Sequence, residues 1–85
     1  MAIVTMRYWA AAKDAAGVPE QRISADTLAA AIAAVTGSDD RDGLRAVIAR
    51  SSFLIDGTPV GRRATETVQL RDGNVIEVLP PFAGG

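Results

Sequence analysis

Hydrophobic and polar residues alternate with a period of two at the N-terminal end of the chain, which predicts a strand over residues 1–9 with one buried face. The residues that this pattern buries are Val4, Met6 and Tyr8. Trp9 falls on the opposite, wetter face. A large aromatic there either folds back over the edge of the core or anchors a partner protein, as interface aromatics often do.

A helical period replaces the alternation further along the chain. Leu28, Ile32 and Val35 recur at i, i+4 and i+7, which predicts an amphipathic helix. Asp26 or Thr27 can cap its start, and Gly37 ends it. A short helical or irregular stretch is predicted over 10–17, ending at the cap residue Gly17, and one or two further helical turns are predicted over 44–50.

Several short extended segments complete the pattern. Residues 18–25 form a weakly alternating second strand, and Phe53–Ile55 runs into an Asp56-Gly57 turn, with 58–60 turning back. A further extended segment is predicted over 67–70, before the turn at 72–73. The last strand is Val75–Leu79. Its core side chains are Ile76 and Val78, so Leu79 lies on the outer face, where it can dock the start of the C-terminal tail onto a partner.

This order of elements predicts an α+β fold. We expect a twisted sheet of four or five strands with one main helix across one face. The sequence has no internal repeat and no linker, so residues 1–79 form a single domain and residues 80–85 an extended tail.

Composition then excludes several classes of function. The chain has 85 residues, a net charge of −1 and no clustered basic segment, which argues against nucleic acid as a partner. It has no cysteine and no histidine, so disulfides, thiolate metal sites and the commonest general base are excluded. No apolar run is long enough to span a membrane and no signal peptide is evident, so we expect a cytoplasmic protein.

Two charged runs have competing interpretations. The Asp39-Asp40-Arg41-Asp42 run is predicted to be a solvated loop or cap, because the ligand spacing of a calcium loop is absent; we therefore predict no metal site. Arg62-Arg63 is either a solvent-facing pair or a contact to an acidic partner surface.

The C-terminal residues are the most distinctive part of the sequence. Pro80 and Pro81 each fix a φ angle and cannot donate a hydrogen bond, so they end the last strand and form a stiff spacer. Phe82, Ala83, Gly84 and Gly85 follow. The two glycines have no side chain to obstruct a narrow channel. A strand, a stiff spacer and a slim tip together indicate a tail that is inserted into another protein.

The run from Leu70 to Gly85, with its Asp-Gly turn, apolar strand and Pro-Pro-x-Ala-Gly-Gly ending, resembles the C-terminus of the MoaD/ThiS sulfur-carrier family. Tyr8-Trp9-Ala10 and the Asp56-Gly57 turn are also similar to the MoaD branch. The resemblance covers essentially the whole chain, and the proline pair favours MoaD over ThiS. In two places the chain departs from the typical pattern, with Asn74 in place of Asp and Phe82 in place of a smaller Val.

The resemblance implies a ubiquitin-like β-grasp fold and a carrier without a bound cofactor. It implies that a MoeB-like E1 enzyme uses ATP to adenylate the Gly85 carboxylate, and that a sulfur donor protein converts the adenylate to a thiocarboxylate. Pro80 to Gly84 would then enter a MoaE-like large subunit of molybdopterin synthase, which supplies the catalytic groups. Trp9 and Leu79, which the strand alternation places on the outer face, are the expected docking residues. Sulfur transfer to a pterin precursor would follow.

Three alternatives stay open. The same carrier chemistry can serve thiamine or cysteine synthesis. A ubiquitin-like modifier shares the adenylation step but forms isopeptide bonds with target lysines. A plain β-grasp interaction module would have an inert glycine tail.

Overall fold

The computed structural model of the protein describes residues 1–81, and within them five strands and three α-helices follow one another. The strands are β1 (Ile3–Tyr8), β2 (Glu20–Ser24), β3 (Ser52–Ile55), β4 (Thr58–Pro59) and β5 (Val75–Leu79). The helices are α1 (Ala10–Ala16), α2 (Leu28–Thr36) and α3 (Asp42–Ala49), and two 3₁₀ turns lie at Asp39–Arg41 and Thr65–Thr67.

The strands form one mixed sheet in the order β2-β1-β5-β3-β4. The two central strands, β1 and β5, are parallel, with Thr5 opposite Val75 and Tyr8 opposite Val78. The remaining pairs are antiparallel. The α+β prediction is confirmed, with five strands in the sheet and with α1 and α3 beside the main helix α2.

The core lies between the helices and one face of the sheet. The alternation in β1 and β5 selects that face, because Val4, Met6, Ile76 and Val78 are at most 1% exposed. The helices cover them with small and aliphatic side chains, among which Ala12, Leu28, Ala31, Val35, Leu44 and Ile48 are buried. Each fully buried aliphatic side chain contributes about 1.5–3 kcal/mol to stability. The packing of β1 and β5 against the helices therefore holds the two layers together.

The helix boundaries follow from local chemistry. Helix α1 ends at Gly17, whose φ of 79° lies in the left-handed region that glycine adopts without strain. At the start of α2, Thr27 Oγ1 accepts a 3.1 Å hydrogen bond from the backbone N–H of Ala30. Of the two capping residues that the sequence allows, Thr27 is therefore the one that caps α2.

The turn before β4 is tied to the start of β5. Asp56 has a φ of 50° and Gly57 a φ of 84°. The Asp56 carboxylate accepts hydrogen bonds from Asn74 Nδ2 at 2.6 Å and from the Val75 backbone at 2.8 Å. These bonds hold Asp56 in the left-handed conformation, which aspartate tolerates better than most residues. The predicted hairpin turn is confirmed.

The extended segment predicted over 67–70 is wrong in part. Thr67 belongs to a 3₁₀ turn, where its backbone N–H and its Oγ1 both donate to Ala64 O. Only Gln69 forms a β-bridge, with Thr27. The segment instead runs past the start of α2, where the Leu28 N–H donates to Val68 O at 3.0 Å. Val68 and Leu70 are buried there, so tertiary packing overrides the weak local strand pattern.

Candidate functional site

The strand that leads into the tail lies at the centre of the sheet. Strand β5 pairs with β1 on one side and with β3 on the other, and its last residue, Leu79, lies opposite Ser52. Pro80 is buried and Pro81 is exposed. Pro80 continues the alternation of Ile76 and Val78 and is buried, so the start of the tail is held against the domain.

The predicted insertion residues Phe82, Ala83 and Gly84, and the predicted adenylation site at Gly85, lie outside the described residues. Their roles stay predictions. The structure instead describes the surroundings from which the tail starts, and these surroundings are what a partner protein would contact first.

Trp9 lies beside this position on the outer face of the sheet. Its side chain is 46% exposed, and its indole Nε1 donates a 3.1 Å hydrogen bond to Glu77 Oε1. Its backbone N–H donates to Val78 O at 3.3 Å. Trp9 therefore lies over the outer side of β5, with its polar atom engaged and part of its ring in solvent. That arrangement is suited to burying the ring against a partner without desolvating an unpaired donor.

The second predicted docking residue, Leu79, lies on the same face. It follows Glu77 by two residues, or about 7 Å along the strand, and it is half-buried. Val75 and Leu54, also half-buried, border Glu77 along β5 and across β3. Trp9, Leu79, Val75 and Leu54 thus surround Glu77 and form what we call the outer apolar patch. Within residues 1–81, no helix covers this side of the sheet, since the buried helical side chains all join the core on the other side.

One ion pair lies on this face. Arg7 lies 3.6 Å from Glu20, while Glu77 accepts a hydrogen bond from the neutral Trp9 indole. An exposed pair of this kind contributes little to stability, about 0–1 kcal/mol. The opposite charges of Arg7 and Glu20 do offset each other beside the outer apolar patch.

A titratable group in the core, Tyr8, has a shifted pKa. Burial raises the pKa of Tyr8 from 10.0 to about 12, and the nearby Arg41 guanidinium lowers it slightly. The Tyr8 hydroxyl donates a 2.7 Å hydrogen bond to Gln21 Oε1, which joins β1 to β2. A buried, neutral tyrosine at the sheet's core is a structural group and offers no general base.

The aspartate run does not form a metal centre in the described part of the chain, where no group of potential ligands comes together. Asp39–Arg41 forms a 3₁₀ turn, and Asp42 starts α3 and contacts Arg45. Arg41 Nη1 donates to the Ala16 carbonyl at the end of α1. The run is a structural connection between α2 and α3.

The sequence pattern alone missed two features of this site. The hydrogen bond between Trp9 and Glu77 depends on the parallel pairing of β1 with β5, which no local pattern reveals. The burial of Pro80 could have been predicted, because position 80 continues the core-facing series of positions 76 and 78. The proline pair instead indicates a spacer outside the strand.

Comparison with known proteins now adds to this geometry. The model of the ThiS family matches residues 6–85, almost the entire chain. The chain belongs to the ThiS family. The match includes β5, Trp9 and the whole C-terminal run, so the outer apolar patch and the tail both lie within the ThiS-family region. The comparison with curated proteins gave no match.

Solved structures similar to this ThiS-family chain are named either as modifier proteins or as subunits of molybdopterin-converting factor. Small archaeal modifier protein 1 from Methanosarcina acetivorans has 26% identity and a TM-score of 0.83, over 100% of this chain and 98% of that one. A complex of subunits 1 and 2 of molybdopterin-converting factor from Helicobacter pylori contains a chain with 23% identity and a TM-score of 0.72, over 98% and 99%.

A putative molybdopterin converting factor, subunit 1, from Pyrococcus furiosus has 20% identity and a TM-score of 0.77, over 96% of this chain and 100% of that one. These likenesses support the ubiquitin-like β-grasp fold. They do not choose between a role in molybdopterin synthesis and a role as a modifier. No helix in residues 1–81 is long and apolar enough to cross a membrane.

Proposed function

We propose that this protein is a sulfur carrier and the small subunit of a molybdopterin synthase, with a tail that carries sulfur as a C-terminal thiocarboxylate on Gly85. The observation that carries the proposal is the ThiS-family match, which includes the Pro-Pro-Phe-Ala-Gly-Gly run. The Asp-Gly turn, the proline pair and the Tyr8-Trp9-Ala10 segment favour the MoaD branch of this family.

In this chemistry the carrier is the substrate, and its partner proteins are the catalysts. The carboxylate attacks the α-phosphorus of ATP in a MoeB-like E1 enzyme, and pyrophosphate leaves. A sulfur nucleophile at the oxidation level of sulfide, from a sulfur donor protein, then attacks the acyl carbon and displaces AMP. Activation is needed because a carboxylate with a pKa of about 3.3–3.7 is ionised at neutral pH and is a poor electrophile.

The structure supports this division of roles. The chain has neither histidine nor cysteine, so two common catalytic side chains are missing from its composition. What the chain offers is the outer apolar patch with Trp9 and Leu79, beside the strand that leads into the tail. Docking there would hold the tail in a partner's active site, which supplies a proximity advantage to each transfer.

The large subunit is proposed from a relative. The Helicobacter pylori structure is a complex of subunits 1 and 2 of molybdopterin-converting factor. We propose that a MoaE-like large subunit likewise receives this carrier and transfers its sulfur to a pterin precursor. All of these steps are placed in the cytoplasm, where ATP and the partner enzymes are expected.

Reconstitution tests this function directly. The carrier is incubated with ATP, a MoeB-like E1 enzyme from the same organism and a sulfide source, and its intact mass is then measured. The expected result is a mass increase equal to the difference between one sulfur and one oxygen atom. Adding a MoaE-like subunit and the pterin precursor should return the original mass and form molybdopterin.

A matched pair of glycine variants controls this experiment. Gly85→Ala adds a Cβ beside the reacting carbon and should abolish thiocarboxylate formation. Gly43→Ala adds a Cβ in helix α3, where no atom lies within 4 Å, and should react normally. Equal thiocarboxylate yields from both variants would show that the tail is not the site of activation.

The name of one structural relative favours a second candidate. The Methanosarcina acetivorans protein is called a modifier protein, and this chain could likewise be joined to target lysines. Conjugates that survive both denaturant and reducing agent in the native host, and that vanish with Gly85→Ala, would support that function. Since Lys13 is the only lysine in the chain, extended polymers through this protein are not expected.

A further inference from the structure

Glu77 places a carboxylate in the middle of the outer apolar patch. Val75 and Leu79 flank it on its own strand, and Leu54 lies opposite it on β3. Trp9 lies next to it and donates the indole hydrogen bond of 3.1 Å. Carboxylates are rarely buried in proteins unless they are paired, so a partner that covers this patch must accommodate the charge of Glu77.

The hydrogen bond from Trp9 leaves that charge in place. The indole is a neutral donor, and it contacts the Oε1 atom of Glu77. A carboxylate can accept about four hydrogen bonds through its two oxygens, so Glu77 has capacity for further donors from a partner. The side chain is half-buried in the free chain, where water still solvates it.

The arginine that lies opposite Glu77 is engaged with a different carboxylate. Arg7 faces Glu77 across the β1–β5 pairing, but its Nη2 atom lies 3.6 Å from Glu20 Oε2 on the far side of β1. Among residues 1–81, no ion pair within 4 Å includes Glu77. One guanidinium cannot balance both carboxylates, so this row across β2, β1 and β5 has one carboxylate in excess.

A second arginine on this face lies too far away to supply the missing charge. Arg22 lies on β2 opposite Thr5, and Thr5 lies opposite Val75, two residues before Glu77. Strand β1 separates β2 from β5 by about 10 Å, and the offset of two residues adds about 7 Å along the strands. The backbones of Arg22 and Glu77 are therefore about 12 Å apart, more than the Debye length of about 8 Å at physiological salt.

Docking on the outer apolar patch would remove the water that solvates Glu77. Burying an ionised carboxylate without a partner is strongly unfavourable, whereas burial beside a cation with good hydrogen-bond geometry is tolerated. A protein surface that fits this patch therefore needs apolar groups around its edge and one cationic group at the position that faces Glu77.

We propose that the MoaE-like large subunit covers the outer apolar patch and pairs Glu77 with one arginine. Arginine fits better than lysine, because a planar guanidinium can pair with a carboxylate and stack on an aromatic ring at the same time. The Trp9 ring, 46% exposed and bonded to Glu77, offers that second contact. The inference rests on the proposed function, since it assigns the chemistry by which that partner recognises the carrier.

The test removes the charge of Glu77 with little change of shape. Glu77→Gln keeps an oxygen that can accept the bond from Trp9. Because Trp9 is the only tryptophan, an unchanged emission spectrum shows that its ring stays in place. Glu66→Gln is the matched control, since Glu66 is exposed in the 3₁₀ turn beside α2 and also accepts a bond from a neutral donor, Thr65, at 3.2 Å.

Isothermal titration calorimetry gives the Kd of each chain for a MoaE-like large subunit from the same organism. We expect Glu77→Gln to weaken binding by about 10- to 100-fold, and Glu66→Gln to change it by less than about 2-fold. Without a cation on the partner the sign reverses, because an amide is less costly to bury than a carboxylate. Binding of Glu77→Gln as tight as that of wild type, or tighter, would overturn the inference.

A second variant distinguishes the partner's arginine from the chain's own Arg7. If Arg7 turned from Glu20 to Glu77 on docking, Glu77→Gln would have little effect in an Arg7→Gln background, and that result would also overturn the inference. We expect the loss to persist in that background. Replacing the large subunit's arginines one at a time by Gln should identify one whose effect is not additive with that of Glu77→Gln.

Two measurements separate a failure of this ion pair from a failure of the proposed function. If the wild-type chain forms a thiocarboxylate and transfers its sulfur, while Glu77→Gln binds the large subunit as well as wild type does, only the pairing of Glu77 is refuted. If the wild-type chain forms no thiocarboxylate and does not bind the large subunit, the proposed function fails as well.

Discussion

Replacing Tyr8 by Phe removes a hydroxyl from the core, and this hydroxyl is also a titratable group. The hydroxyl donates a 2.7 Å hydrogen bond to Gln21 Oε1, and Tyr8 is only 2% exposed. A typical hydrogen bond contributes about 0.5–1.5 kcal/mol. Since Gln21 is half-buried and can bind water in the variant, we expect Tyr8→Phe to lower the free energy of unfolding by about 0.5–1 kcal/mol at neutral pH.

At alkaline pH the order of stability should reverse. Burial raises the pKa of Tyr8 to about 12 in the folded chain, against 10.0 as the ordinary value. The neutral hydroxyl is therefore favoured by folding, and its contribution is complete below the unfolded pKa and is lost as pH rises from 10 to 12. Linkage gives a loss of about 1.4 kcal/mol by pH 11 and at most about 2.7 kcal/mol above pH 12.

Because of the composition of the chain, few other side chains titrate in the same pH range as Tyr8. Tyr8 is the only tyrosine, Lys13 is the only lysine, and there is no cysteine. Lys13 is present in both proteins, so it does not contribute to the difference between them. The difference in stability between wild type and Tyr8→Phe should therefore report the titration of Tyr8 alone.

Urea unfolding followed by circular dichroism, at several pH values between about 8 and 11.5, measures both stabilities. The variant should be less stable at the lower end, equal to wild type between about pH 10 and 11, and more stable above that range. Tyrosinate absorbance in folded and urea-unfolded wild type gives the two pKa values independently. Parallel stability curves for the two proteins would refute the argument that burial protects the neutral hydroxyl.

The remaining predictions concern caps and docking. Thr27→Ala removes the bond to the Ala30 N–H and should cost about 1 kcal/mol in urea unfolding, whereas Thr27→Ser should retain most of that stability. Gly17→Ala places a Cβ in a left-handed conformation with open space around it, so strain alone should cost about 1–2 kcal/mol. Leu79→Asn should raise the KM for the carrier in E1-dependent adenylation by about 10-fold and leave kcat unchanged. The control Ala30→Ser on α2 should change neither constant. An unchanged KM for Leu79→Asn would show that the outer apolar patch is not part of the docking surface.

The candidate site was predictable where it depends on residues that are close together in the sequence. The proline pair, the glycines and the alternation in Val75–Leu79 were sufficient to indicate a strand that leads into a slim tail and to place Leu79 on the outer face. Trp9 was also placed on that face. Its partner Glu77 was not predictable, because their hydrogen bond depends on the pairing of two segments distant in the chain.

By itself, the sequence determined the type of most elements and the face that each one buries. The period-two pattern of β1 and β5, the 3.6-residue pattern of α2 and the glycine turns reflect side-chain geometry and backbone sterics, which act between near neighbours. Only the tertiary structure decided that β1 and β5 lie side by side and parallel, and that 67–70 follows the start of α2 instead of joining the sheet. These features depend on which surfaces bury each other most completely, and that is a property of the whole chain.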